Sequence, residues 1–169
     1  MSMIDIEFLG TGTSFGVPMP ICSCSVCKSS DYRNNRYRAS ICIKYNKKNI
    51  IVDAPPEFRL QMIRSGIQSV DALLITHSHA DHINGLDDLR AFNIEVKKKI
   101  SVYGRKNMLH DLKKRYKYVF NKTQEGGGKP KISLKSIKRE FQLFGKTIQP
   151  IDVLHGSLKI LYFRIFLSL

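Results

Sequence analysis

Three of the five histidines, His77, His79 and His82, fall within six residues, with Asp81 among them, in the stretch LLITHSHADHINGLDDLR. Residues two apart in an extended segment point the same way, so His77 and His79 can reach one point together. Asp81 and His82 follow on the next turn and can reach a second point nearby. Imidazole nitrogen and carboxylate oxygen are ligands for zinc, manganese or iron. A competing reading makes Asp81 a helix cap and the histidines plain surface. One histidine could be dismissed so; H-x-H-x-D-H directly after an apolar run favours a metal.

A second group is CSCSVC, with Cys22, Cys24 and Cys27. In a reducing compartment, three cysteines this close suggest a metal rather than a disulfide framework. A thiol-rich loop without metal is the alternative. Cys42, alone in ASICIKY, reads as a small buried strand residue. The glycines of GTGTSFGVPMP do not follow the G-x-G-x-x-G spacing, and Pro18 and Pro20 stop a helix from opening there, so a tight loop is expected instead of a dinucleotide site.

The elements that must hold these groups are legible in outline. IDIEFLG alternates as a strand, and SICIKYNKKNIIVDA reads as a hairpin turning around Asn46–Asn49 and ending at Asp53. PPEFRLQMIRSG carries proline at its start and Gly66 at its end, the punctuation of a helix. VDALLIT is a continuous apolar run, expected as a buried strand ending near Thr76. The histidine cluster then lies on a loop at a strand's C-terminal end, where α/β folds place chemistry. GLDDLRAFN and NMLHDLKKRYKYVF read as helices, NKTQEGGGKPK as a loop, and KISVYG, ISLKSI, REFQLF, KTIQPIDVLH and LKILYFRIFLSL as strands. His110 falls on the second of these helices among polar neighbours and reads as surface.

The 169 residues suit one domain, with 43% hydrophobic and 25% charged residues in the ordinary globular range. Lys and Arg number 28 against 14 acidic residues, a net charge of +14. That charge is dispersed, with short runs at Lys97–Lys99 and Lys113–Arg115, so a solvated surface is favoured over a nucleic-acid arm. Arg33, Arg36 and Arg38 are read the same way, although they could face an anionic substrate. No apolar run is long enough to span a membrane, and the N-terminus lacks the pattern of a signal peptide, so a cytoplasmic location is expected.

H-x-H-x-D-H after LLIT resembles the metallo-β-lactamase superfamily. GTGTSFGVP, IIVDAPPEFRLQM, GIQSVDALLITHSHADHINGLDDLR and the HG at His155 resemble its branch of phosphoribosyl cyclic phosphodiesterases of phosphonate breakdown. The resemblance implies an α/β fold, an αββα sandwich with a dinuclear metal site at one edge. It implies that His77, His79 and His155 bind one divalent ion, zinc or manganese, and Asp81 and His82 a second. Asp53 would orient the metal loop by hydrogen bonds without being a ligand. On its own, Asp53 reads equally well as a turn former and His155 as an ordinary surface or core residue. The implied reaction is phosphodiester hydrolysis by a hydroxide shared between cations about 3.5–4 Å apart, with Asp81 also holding the attacking water. The substrate would be a small anionic, possibly cyclic, phosphodiester. C-x-C-x-x-C resembles the branch's structural zinc site.

Family members continue beyond the strand matching LYFRI to a bridging aspartate and further histidines, and to the histidine that completes the cysteine site. Here FRI is followed by FLSL. The expectation is therefore a single, incomplete domain over residues 1–169, the N-terminal part of the sandwich, with an open strand edge that favours a homodimer. Two rival functions remain open: an RNA-processing or nucleic-acid-binding member of the superfamily, and a truncated, inactive remnant.

Overall fold

A computed structural model describes residues 3–96, 98–121 and 128–166. Alternation of apolar residues builds a six-stranded mixed sheet in the order β1 (Asp5–Gly10), β2 (Ser40–Tyr45), β3 (Lys48–Val52), β4 (Ala72–Leu74), β5 (Ile100–Gly104) and β6 (Ile132–Ser136). The first three strands are antiparallel neighbours and β3 to β6 run parallel. The β2–β3 turn is tighter than expected. Tyr45 pairs with Lys48, and only Asn46 and Lys47 turn, both at positive φ, the backbone that matches the twist of a two-residue hairpin. A second sheet, β7 (Phe141–Leu143), β8 (Lys146–His155) and β9 (Leu158–Ile165), is wholly antiparallel.

Side chains alternate across the first sheet and divide the core in two. Cys42, Ile51, Leu73 and Val102 face helices, packing with Phe58 and Met62 of α1 (Phe58–Ser65), Ile83 of α2 (Ala80–Ile83), and Leu109 and Leu112 of α4 (Lys106–Arg115). Ile43, Ile50, Ala72 and Leu74 face the second sheet and meet Leu143 and Ile148. Full burial of each large apolar side chain contributes about 1.5–3 kcal/mol, so both faces are needed to hold the sheet. The order of layers is helix, sheet, sheet. Among the described residues no helix follows β6, so the outer helical layer of an αββα sandwich is not part of what is described.

Most elements fall where the patterning puts them, Gly66 taking the left-handed conformation that ends α1. Three differ. The LLIT strand is short, Ala72–Leu74, because the chain leaves the ladder to form the histidine loop. GLDDLRAFN begins as a 3-10 turn, Leu86–Leu89, before α3 (Arg90–Val96). The helix expected through NMLHDLKKRYKYVF breaks at Tyr116 into α4 and α5 (Lys117–Phe120), where the Tyr116 hydroxyl donates to the Ile83 carbonyl at 2.8 Å and anchors the buried ring. Of the NKTQEGGGKPK loop, residues 122–127 lie outside the described residues.

The parallel strands β3, β4 and β5 end on one edge, so Asp53, Thr76 and Arg105 leave the sheet side by side. The loop after β4 is pinned back onto that edge. Ala54 N–H donates to the His82 carbonyl and Gly85 N–H to the Ala54 carbonyl, both at 2.8 Å. The approach is so close that a Cβ on Gly85 would sit 2.1 Å from the Pro55 carbonyl oxygen and 2.4 Å from the Phe58 Cβ. Neither atom is the end of a flexible side chain. Gly85→Ala is expected to destabilise the protein by about 1–3 kcal/mol, read as a lowered midpoint of thermal unfolding; an unchanged midpoint would refute this packing.

Candidate functional site

Asp53 is 4% exposed and sits at φ 61, a left-handed backbone that aspartate tolerates better than most residues. Its N–H donates to the Leu74 carbonyl at 2.9 Å, and its own carbonyl accepts from the Ser40 hydroxyl at 2.9 Å. The carboxylate thereby faces the start of the histidine loop. Oδ1 accepts from the Thr76 N–H at 2.8 Å, and Oδ2 from the Thr76 hydroxyl at 2.6 Å. Oδ2 also lies 2.7 Å from Nδ1 of His82.

This network assigns the protons on two imidazoles. The Thr76 hydroxyl has spent its only hydrogen on Asp53, so at 3.0 Å from His77 Nδ1 it must accept. His77 then carries its proton on Nδ1 and keeps a lone pair on Nε2. An ionised Asp53 likewise places a proton on His82 Nδ1 and turns His82 Nε2 outward, where it lies 3.4 Å from Asp81 Oδ2. A histidine whose second nitrogen donates to an oxygen is the usual form of a metal ligand. Burial, with the charge of His82 adding to it, pushes the His77 pKa down to about 4, so this imidazole is neutral at pH 7. Burial also opposes charge on His82, but the Asp53 hydrogen bond and the charges of Asp53 and Asp81 outweigh it and raise the pKa above its ordinary value.

The third histidine comes from the other sheet. His155 ends β8 and pairs with Leu158 across a turn in which Gly156 adopts φ 62. One ring nitrogen each from His77, His79 and His155 lie within 4.8 Å of one another. Three nitrogens at about 2.1 Å from one ion stand up to about 4.2 Å apart, so this donor set fits a single divalent ion after small side-chain adjustments. Two contacts tie the hairpin to the first sheet. The Leu161 N–H donates to the Thr76 carbonyl at 2.9 Å. Arg105, following β5, donates to Asp152 Oδ1 at 2.8 Å from Nη2 and 3.1 Å from Nε, and to the Lys138 carbonyl at 2.8 Å.

Asp81 and His82 stand beside this group as a pair rather than within it. Asp81 lies in the first turn of α2, of which His79 is the N-cap residue, without a side-chain capping bond. Cys22, Cys24 and Cys27 form a separate group, their sulfurs also within 4.8 Å of one another. N–H donation from Cys27 to the Cys24 sulfur, with contacts from the other two thiols, lowers the Cys24 pKa to about 7. Cys42 is fully buried, and burial raises its pKa to about 11. Of the three arginines named earlier, Arg33 pairs with Asp31, while Arg38 pairs with Glu57 and donates to the Ser14 carbonyl; among the described residues Arg36 has no side-chain partner. His110 is exposed.

Sequence reasoning did not find Thr76 or Arg105. For Thr76 a faint signal exists, since a hydroxyl residue closing a strand parallel to one that ends in Asp53 must lie beside it. For Arg105 there is none, because its partners at 137, 138 and 152 are distant in the chain.

A helix-backed sheet with its histidine loop at the parallel edge, faced by a hairpin bearing a further histidine, is the arrangement of one superfamily. The model of the Beta-lactamase superfamily domain matches residues 48–165, and the chain belongs to the metallo-β-lactamase superfamily, a superfamily of metal-dependent hydrolases. Within it, the chain is similar to a new diphosphatase from the PhnP family, whose crystal structure superposes with a TM-score of 0.87 at 35% identity, over 98% of this chain and 63% of that one. It is also 41% identical over 160 residues to an octanoyltransferase of Porphyromonas gingivalis, across 93% of this chain and 32% of that protein. A ribonuclease Z of Agathobacter rectalis is 35% identical over 89 residues, 52% of this chain and 24% of the relative. The chain thus spans less than two thirds of each of these proteins. No helix among the described residues is long and apolar enough to cross a membrane.

The Asp53–Thr76 network yields a test. Thr76→Val keeps the shape but removes the hydroxyl that fixes the His77 proton, and Asp53→Asn weakens the hold on both imidazoles. Each is expected to lower affinity for zinc or manganese by about 10–100-fold, measured by competition with a chromophoric chelator. Unchanged affinity in both would disconnect the network from metal binding.

Proposed function

We propose that this chain is a metal-dependent hydrolase of phosphodiester type, residues 1–169 forming one metallo-β-lactamase-like unit. The convergence of His77, His79 and His155 beside the Asp81–His82 pair carries this reading. His77, His79 and His155 would hold one divalent ion, and Asp81 with His82 a second, zinc and manganese both suiting nitrogen and oxygen donors. When bound, such a pair supplies an activated water and positive charge for the oxygens of the reacting phosphorus. Asp53 holds the loop and keeps two Nε2 lone pairs directed outward. Asp81, half-buried beside His82, would be placed to accept a proton from an attacking water. The similarity to a PhnP-family diphosphatase favours a small phosphorylated substrate.

Hydrolysis of bis-p-nitrophenyl phosphate by metal-stripped protein, with and without added manganese or zinc, tests this. Metal-dependent turnover is expected, and His77→Ala/His79→Ala should lose more than the roughly 10–100-fold typical of outer partners. No metal-dependent turnover, or turnover indifferent to the double variant, overturns the reading.

A second reading, hydrolysis of RNA, is favoured by the +14 charge and by the similarity to ribonuclease Z. It requires RNA binding that weakens steeply with salt, as release of counterions from many phosphates demands. A shallow salt slope would leave the small substrate.

We further propose that Cys22, Cys24 and Cys27 hold a structural zinc with a fourth ligand from water or another group. Zinc should then slow alkylation of all three thiols together, counted by mass spectrometry. Equal reactivity with and without zinc would exclude the site.

A further inference from the structure

A cavity of about 280 Å³ opens at the end of β1, bounded by Gly10, Thr11, Phe8 and the segment around Arg36. It lies on the sheet edge that carries the histidines, but β2 and β3 separate β1 from β4. Three strand spacings place it on the order of 14 Å from the histidine loop, a separate site.

Its lining is basic. Arg33, Arg36 and Arg64 contribute to it, and no carboxylate does among the described residues. Arg33 is neutralised by Asp31. Arg64 has no carboxylate partner among the described residues: it donates from Nη2 to the Leu9 carbonyl at 2.7 Å and lies 4.8 Å over the Tyr37 ring, contacts that fix the guanidinium and leave other N–H groups without a partner among those residues. Among the described residues Arg36 has no side-chain partner, yet its backbone is held, exchanging hydrogen bonds with Val17 at 2.8 and 3.0 Å. Two guanidinium groups without counter-charge among the described residues thus share one small concavity, Arg64 fixed by its contacts and Arg36 by its backbone. Planar forks of N–H donors in that state are suited to the oxygens of a phosphate. The flanks are aromatic, Tyr32 being 79% and Phe8 67% exposed. A bare phosphate would leave these surfaces in water, whereas a ring would cover them.

We propose that this cavity binds a small phosphate ester bearing a ring, with the phosphate on Arg36 and Arg64 and the ring against Tyr32 or Phe8. The proposal does not depend on the metal-site reading, and its test separates the two. Isothermal titration calorimetry of the chain in EDTA, with adenosine 5′-monophosphate, ribose 5-phosphate and inorganic phosphate, reads binding without metal chemistry. The nucleotide should bind most tightly. Arg36→Gln should weaken it by about 10-fold or more, the loss of charge-assisted hydrogen bonds, and Arg36→Lys by less. Arg36 is exposed, so the fold should survive its substitution, as circular dichroism would verify. Tyr32→Ala and Phe8→Ala combined should remove the preference for a ring, and His77→Ala/His79→Ala should change nothing. Absence of binding by all three probes, indifference to Arg36→Gln, inorganic phosphate binding as well as the nucleotide, or loss of binding in the histidine double variant would each overturn the proposal.

Discussion

The Asp53 carboxylate is the constraint around which the rest is arranged. A buried charge is costly unless hydrogen-bonded, and this one receives donors from the Thr76 N–H, the Thr76 hydroxyl and His82. Those donors exist only if β3 and β4 run parallel in the register that sets Val52 beside Leu74, so that both strands release their chains at the same level. The carboxylate in turn leaves the two imidazoles one proton position each. Strand order, backbone conformation and tautomer are thus solved together, and altering one disturbs the others.

The same dependence explains which parts could be read in advance. The H-x-H-x-D-H motif is contiguous, so its spacing survives in the sequence, and apolar alternation gives away the strands behind it. Asp53 is ambiguous alone, because an aspartate after a strand is as often a turn former; only its neighbour in the sheet separates the two. Thr76 and Arg105 act through partners brought close by folding, and no local pattern encodes such partners. The break at Tyr116 was hidden for the same reason, since propensity favours one helix and the tertiary hydrogen bond to Ile83 decides otherwise. His155 stands between these cases, its strand-end place being readable and its convergence on His77 and His79 not.

Residues of one type also take different parts here. Arg38 and Arg105 are struts, each donating to a carboxylate and to backbone carbonyl oxygen. Arg36, its backbone held by Val17, has no side-chain partner among the described residues. A net charge of +14 conceals that division, since bulk charge counts both kinds alike.

The two-sheet origin of the histidine group has a consequence for timescales. His77 rests on the central sheet, where opening requires disruption of the main core. His155 stands at the exposed tip of an edge hairpin that can fray while that core stays folded. Two of its three nitrogens therefore depend on the core and one on the hairpin. Any ion held by all three nitrogens would enter and leave at a rate set by the hairpin's own excursions, while the place it returns to is preserved by the slower unfolding of the whole.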